Sequence, residues 1–173
     1  VDEADNEART ALMLACKWGH RECVRALIRA GAAVGTKDNN EMTALMWACS
    51  GPDGSIPHEE CVQALLAPGG VDVDQQDQLG RTALFLSCQY GHPECARALI
   101  GARAAVNKTD NEARTPLMVA CRSGHLECAQ ALINAGAAVD EADSDAKTAL
   151  MWACKWGHPE CMRALIHAGA AVG

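Results

Sequence analysis

A chain of 173 residues, 49% hydrophobic, with a formal net charge of −7 and a pI near 5.3, is long enough to bury one core. It is too acidic to work mainly by neutralising nucleic-acid phosphates or anionic lipid. No apolar run approaches the ~20 residues that a membrane-spanning helix needs, and no secretory signal opens a sequence that begins "VDEAD" without a methionine.

The first predicted element follows residues 1–4. The block "TALMLACKW" (10–18) reads as a short helix that "GH" breaks, and "ECVRALIRAG" (22–31) reads as a second helix. Its apolar positions are Cys23, Val24, Leu27 and Ile28, and Gly31 stops it. The same unit recurs from Asp5, Asp38, Asp77, Asp110 and Asp143, at steps of 33, 39, 33 and 33 residues, and segment 139–173 repeats 1–35 with few changes. The units are 5–37, 38–76, 77–109, 110–142 and 143–173, with 1–4 as the tail of a preceding repeat and 1–173 as a single domain. The second is lengthened by "GPDGSIP" (51–57), between its two helices; whether that loop is functional or merely tolerated stays open. In the third and fifth units Pro93 and Pro159 stand at the first position of the second helix, where a missing N–H costs nothing.

With four Trp, one Tyr and one Phe against abundant alanine, the interior must close through small side chains and near contact between helices. Ten cysteines occupy the same two positions of every unit, and "CKWGHPEC" (154–161) has the look of a metal motif. A zinc site needs ligands converging on one tetrahedral point, yet the second-repeat insertion separates Cys49 from Cys61 while the other pairs stay close. The expectation is that all ten point inward as small apolar packers at the helix–helix seams. Metal and disulfides are the weaker readings, and no cofactor is expected. Such cysteine usage suits a reduced compartment and an intracellular, cytoplasmic protein.

The unit resembles the ankyrin repeat. Repeat four, "DNEARTPLMVACRSGHLECAQALINAGAAVD", carries the threonine-proline-leucine helix start, the glycine-histidine break, the paired leucine and isoleucine, and the glycine-alanine-x-valine exit. The resemblance implies an all-α solenoid of antiparallel helix pairs joined by β-turn fingers, with a concave side built from fingers and first helices. It also implies a protein-binding role. Three departures stand out. Where the family usually has histidine after the helix-start leucine, this chain has Met13, Met46, Phe85, Met118 and Met151, which read as inter-repeat core rather than an exposed stripe for partners. Only Gly80 keeps the finger glycine; Ala8, Glu41, Ala113 and Ala146 replace it, and whether they adopt a positive φ or pass the strain to Asn6, Asn39 or Asn111 stays open. The end units look internal, so the chain reads as a stretch of a longer array, or one trimmed from it, with Leu165 and Ile166 left in water and a tendency to self-associate end to end.

Nothing assembles a catalytic constellation, and no enzyme activity is expected. The repeat histidines, His20, His58, His92, His125 and His158, read as braces at the helix break, and His167 as solvated. By the resemblance, partner contacts come from finger tips and the exposed ends of first helices. The residues before the helix-start threonine, Arg9, Met42, Arg81, Arg114 and Lys147, form a mostly basic row. Trp18, Tyr90, Ser123 and Trp156 end the first helices, and large exposed aromatics are typical interface anchors. Trp47 and Trp152, in place of Leu14, Leu86 and Val119, read as core. The expected function is a non-enzymatic scaffold binding a protein or peptide on its concave face, with an acidic or extended segment as ligand and neither nucleic acid nor membrane as partner. The alternatives are a targeting or regulatory segment of a larger enzyme or channel, and an artificial or trimmed scaffold without a native partner.

Overall fold

The computed structural model describes residues 2–51 and 58–172, so the 51–57 insertion, apart from Gly51, lies outside the described residues. Among them are ten helices, two per repeat: α1 (Ala11–Lys17), α2 (Arg21–Arg29), α3 (Ala44–Cys49), α4 (Glu59–Leu66), α5 (Ala83–Tyr90), α6 (Pro93–Gly101), α7 (Pro116–Ser123), α8 (Leu126–Asn134), α9 (Ala149–Trp156) and α10 (Pro159–His167). Odd-numbered helices pack side by side in one row and even-numbered helices in a second, each pair touching only its neighbours. Extended pairing among the described residues is limited to isolated bridges such as Ala4 with Thr10 and Lys37 with Thr43.

Helices of six to nine residues are too short to stand alone, so capping and packing hold them. Thr10, Thr43, Thr82, Thr115 and Thr148 each cap an odd-numbered helix, the hydroxyl accepting the N–H three residues on. In three repeats the methionine at that third position answers with its sulfur: the Thr10, Thr43 and Thr115 N–H groups donate to Sδ of Met13, Met46 and Met118 at 3.5, 3.5 and 3.4 Å. The methionines therefore close a capping box as well as filling the core. Met13, Met46, Phe85 and Met118 are buried, as expected; Met151, in the fifth repeat, with no helix among the described residues stacked beyond it, is 54% exposed.

The glycine-histidine break is a close-approach device. His58, His92 and His158 point Nε2–H at backbone carbonyls of the preceding repeat: Lys17 at 3.2 Å, Gly51 at 3.4 Å and Arg122 at 3.1 Å. The ring lies against the preceding repeat's glycine so tightly that a Cβ on Gly124 would meet His158 Nδ1 at 2.6 Å. The histidines thus brace repeat to repeat, and none caps its own helix through its side chain. Desolvation, the largest influence, lowers the pKa of His58 and His125.

Eight cysteines are buried at the seams, each first-helix cysteine facing the second-helix cysteine of the next repeat, as in Cys49 with Cys95 and Cys121 with Cys161. Burial raises the Cys16 and Cys88 thiols and pushes Cys61 up to about 11. Cys23 and Cys154 depart from the inward expectation: both are exposed, because each is the half of a cysteine pair whose neighbour would lie beyond the stack. Leu165 is also corrected, being fully buried beneath α9, while Ile166 is 44% exposed.

Left-handed strain falls at four fingers and once after α6, at Arg103 with φ of 65°. Ala8, Glu41, Ala113 and Ala146 adopt φ of 58–61°, so the asparagines are not called on; each costs about 1–2 kcal/mol. The fingers repay it by pairing in series: the N–H groups of Asn39, Gln78, Asn111 and Ser144 each donate to a carbonyl of the preceding finger at 3.0–3.1 Å.

Candidate functional site

The aspartate that opens each repeat organises its finger. Its Oδ1 accepts the N–H groups two and four residues on, at 2.8–3.0 Å for Asp38, Asp77, Asp110 and Asp143. Asp5 does the same for Glu7 and Arg9. Oδ2 is then free for one further donor, which two residue types supply by turns. Where the finger ends in arginine, Nε reaches it: Arg9 at 2.9 Å, and Arg81 and Arg114 at 2.8 Å. Where it ends in Met42 or Lys147, the indole N–H of Trp47 (3.0 Å) or Trp152 (2.9 Å) donates instead. Trp47 is accordingly half-buried on the finger side of the stack rather than in the core, whereas Trp152 is 9% exposed.

These pairings change the electrostatic reading of the basic row. Arg9, Arg81 and Arg114 are each bound to their own aspartate, and Arg9 and Arg114 also to Glu7 and Glu112. Lys147 pairs with Asp145. Asp5 is held below its ordinary value chiefly by the Arg9 guanidinium. The row is largely neutralised within the fingers. Among the described residues, Lys17, Arg122 and Lys155, all in the last turn of odd-numbered helices, have no carboxylate partner.

Two clefts meet on this side. One, about 470 Å³, lies between Lys17, Met42, Trp47, Arg81 and Tyr90; the other, about 380 Å³, lies between Arg81, Tyr90, Arg114, Arg122, Ser123 and Trp156. They share Leu79, Arg81 and Tyr90 and form one groove across the fingers and first-helix ends. Of the expected contact residues it gathers Met42, Arg81, Tyr90, Arg114, Ser123 and Trp156; Arg9, Trp18 and Lys147 stand outside the two linings. Met42 is buried and forms wall rather than surface, and Tyr90 is half-buried, while Trp18 and Trp156 are 66% and 52% exposed. Sequence reasoning missed Lys17, Trp47, Leu79 and Arg122. The signal for Trp47 was legible: at the helix position shared by Leu14, Trp47, Leu86, Val119 and Trp152, tryptophan appears only in the two repeats whose finger lacks arginine. Among the described residues no three histidine, cysteine or acidic side chains converge as a metal site, and no helix is long and apolar enough to cross a membrane.

The family model for ankyrin repeats matches in three copies, over residues 1–77, 54–143 and 102–173. The chain belongs to the ankyrin-repeat family, whose repeats are in general protein-interaction modules. It is similar to ankyrin repeat domain-containing protein 63 of Mus musculus (32% identical over 58% of this chain and 25% of that protein) and to inversin of Mus musculus (37% over 58% and 9%). It is also similar to the E3 ubiquitin-protein ligase XBAT33 of Arabidopsis thaliana (38% over 51% and 16%). The matched region spans about a quarter or less of these relatives.

Proposed function

We propose that this chain is a non-enzymatic scaffold, intracellular and cytoplasmic, that takes an extended segment of a partner protein along the finger-side, concave groove. The observation that carries this reading is the groove itself: it runs across successive repeats, and Leu79, Tyr90 and Trp156 leave apolar surface open along it. Tyr90 and Trp156 are its anchors, with Trp18 at the rim. Arg9, Arg81, Arg114, Lys147 and Ser123 form a polar border, Met42 backs it, and an acidic segment is the preferred ligand. Nucleic acid and membrane are not partners in this reading. The exposed end faces around Met151 and Cys154 favour end-to-end self-association as a secondary property.

The short share of each relative that is matched favours a second reading, in which these repeats target or regulate a larger protein. Panning a random 16-residue peptide library on the purified chain tests the groove. Selected peptides should lose affinity on Trp156→Ala, by tenfold or more for a buried anchor, and keep it on Arg163→Ala, an exposed residue of α10 paired with Glu160. Equal losses would place the binding surface elsewhere.

A further inference from the structure

The two ends of the groove share a construction. At one, Lys17 Nζ lies 4.8 Å from the ring centre of Trp47 and 5.7 Å from that of Trp18. At the other, Arg122 Cζ lies 5.4 Å from Trp152 and 5.7 Å from Trp156, and Lys155 Nζ lies 5.1 Å from Trp152. Lys17 and Arg122 are equivalent residues of repeats one and four. The intervening repeats carry neutral Ser50 and Gln89 at that position. Apolar surface lies between them instead, chiefly Leu79, 55% exposed, and Tyr90.

Indole faces hold a cation in place without neutralising it. Both cations are half-buried, and no carboxylate of the described residues pairs with either. On the fingers, Arg9, Lys37, Arg81, Arg114 and Lys147 are each paired with a carboxylate, Lys108 is held by the Asp74 carbonyl, and Lys155 belongs to the second cluster. An otherwise acidic chain thus keeps unneutralised positive charge at two points of one groove, with an apolar stretch between.

Resting on the groove reading above, we propose that Lys17 and Arg122 are two stations that read two acidic side chains of one extended partner segment at a fixed separation. Three inter-repeat steps of roughly 8–10 Å each separate the stations, and an extended chain rises about 3.3 Å per residue. The two acids therefore lie roughly seven to nine residues apart, with apolar residues between them over Leu79 and Tyr90. The ligand chemistry is a carboxylate: a partly desolvated, oriented cation gains more from a charged acceptor than from a neutral one.

The test uses fluorescent peptides on the full 173-residue chain, read by anisotropy. Each carries a neutral, leucine- and tyrosine-bearing spacer and two glutamates whose separation varies from three to fifteen residues. Affinity should peak at seven to nine and fall about tenfold when either glutamate becomes glutamine. Lys17→Met and Arg122→Met should each lower binding of the matched peptide to the single-acid level and do little to a peptide already lacking the acid that station reads. Circular dichroism confirms that both variants remain folded. Phosphoserine in place of glutamate should leave the optimum unmoved, whereas a requirement for it would overturn the carboxylate assignment. Affinity that tracks the number of acids and ignores spacing, or equal competition by an oligothymidylate, would overturn the stations. Peptides that bind through Trp156 and Tyr90 without any acid would sink the stations and leave the groove standing. Loss of all Trp156-dependent binding would remove both.

Discussion

Trp152 and Lys147 offer a direct test of how the finger aspartate is held. Trp152→Leu deletes a nearly buried ring and leaves Asp143 Oδ2 without its 2.9 Å indole donor. The lost packing and the unpartnered carboxylate together should cost about 2–4 kcal/mol. Lys147→Arg alone should be near neutral, because Oδ2 is already occupied. Combined, the two substitutions recreate the arrangement of repeat three, where Arg81 Nε reaches Asp77 at 2.8 Å beside Leu86. The double variant should regain about 1–2 kcal/mol, a coupling that a double-mutant cycle in urea, followed by helical circular dichroism, resolves. Acid adds a second readout. On Asp143 desolvation is the largest influence and acts upward, but the Lys147 N–H, the Trp152 indole, the Asp145 N–H and the Lys147 charge outweigh it and lower the folded pKa. A lowered carboxylate stabilises fully above its ordinary value near 3.8, and that contribution is lost as pH falls through the folded value. Trp152→Leu removes one lowering donor, so the variant should lose less of its remaining stability between pH 5 and pH 3 than the parent does. A double variant no more stable than Trp152→Leu would refute the exchange of arginine for tryptophan.

Two further outcomes follow from backbone and burial. Ala113→Gly and Arg103→Gly, at φ of 58° and 65°, should each stabilise by up to about 1 kcal/mol and raise the thermal midpoint, whereas Gly80→Ala should destabilise, since its Cβ would lie 2.8 Å from the Asn111 nitrogen. Thiol labelling of the native chain should show two fast groups, Cys23 and Cys154, and eight slow ones; uniform rates would refute the seam packing.

The architecture was legible because the same local rules are written five times. Threonine caps, the glycine-histidine break and the proline at the first position of α6 and α10 all fall where the periodicity puts them. What periodicity hides is position within the stack. Met151, Cys154 and Cys23 are the same residue types at the same repeat positions as their buried counterparts, and only the absence of a neighbouring repeat within the described chain exposes them. Leu165 illustrates the converse: its seam faces back toward α9, so it is buried although its helix is the last. The positive φ at Glu41, Ala113 and Ala146 was undecidable from residue type, because those fingers are also held by a bond to the preceding finger's carbonyl, a contact about one repeat away.

The binding face was only partly legible, for a physical reason that the finger charges make plain. The mostly basic row before the odd-numbered helices looks like an open basic surface when counted along the sequence, yet the guanidinium of Arg9, Arg81 and Arg114 each lies beside the aspartate four residues earlier, and i,i+4 proximity decides the pairing. The charge left over belongs to residues that drew no notice, Lys17 and Arg122, whose neighbours in space are indoles from the next repeat. An indole that serves Asp38 through its N–H turns its face to Lys17, so the substitution that replaces arginine at one finger also builds the wall of the adjoining station. The same tryptophan couples the stability of a finger to the charge presented by the groove. Substitutions at Trp47 should therefore disturb both together, while substitutions at Lys17 should alter binding and leave the finger intact.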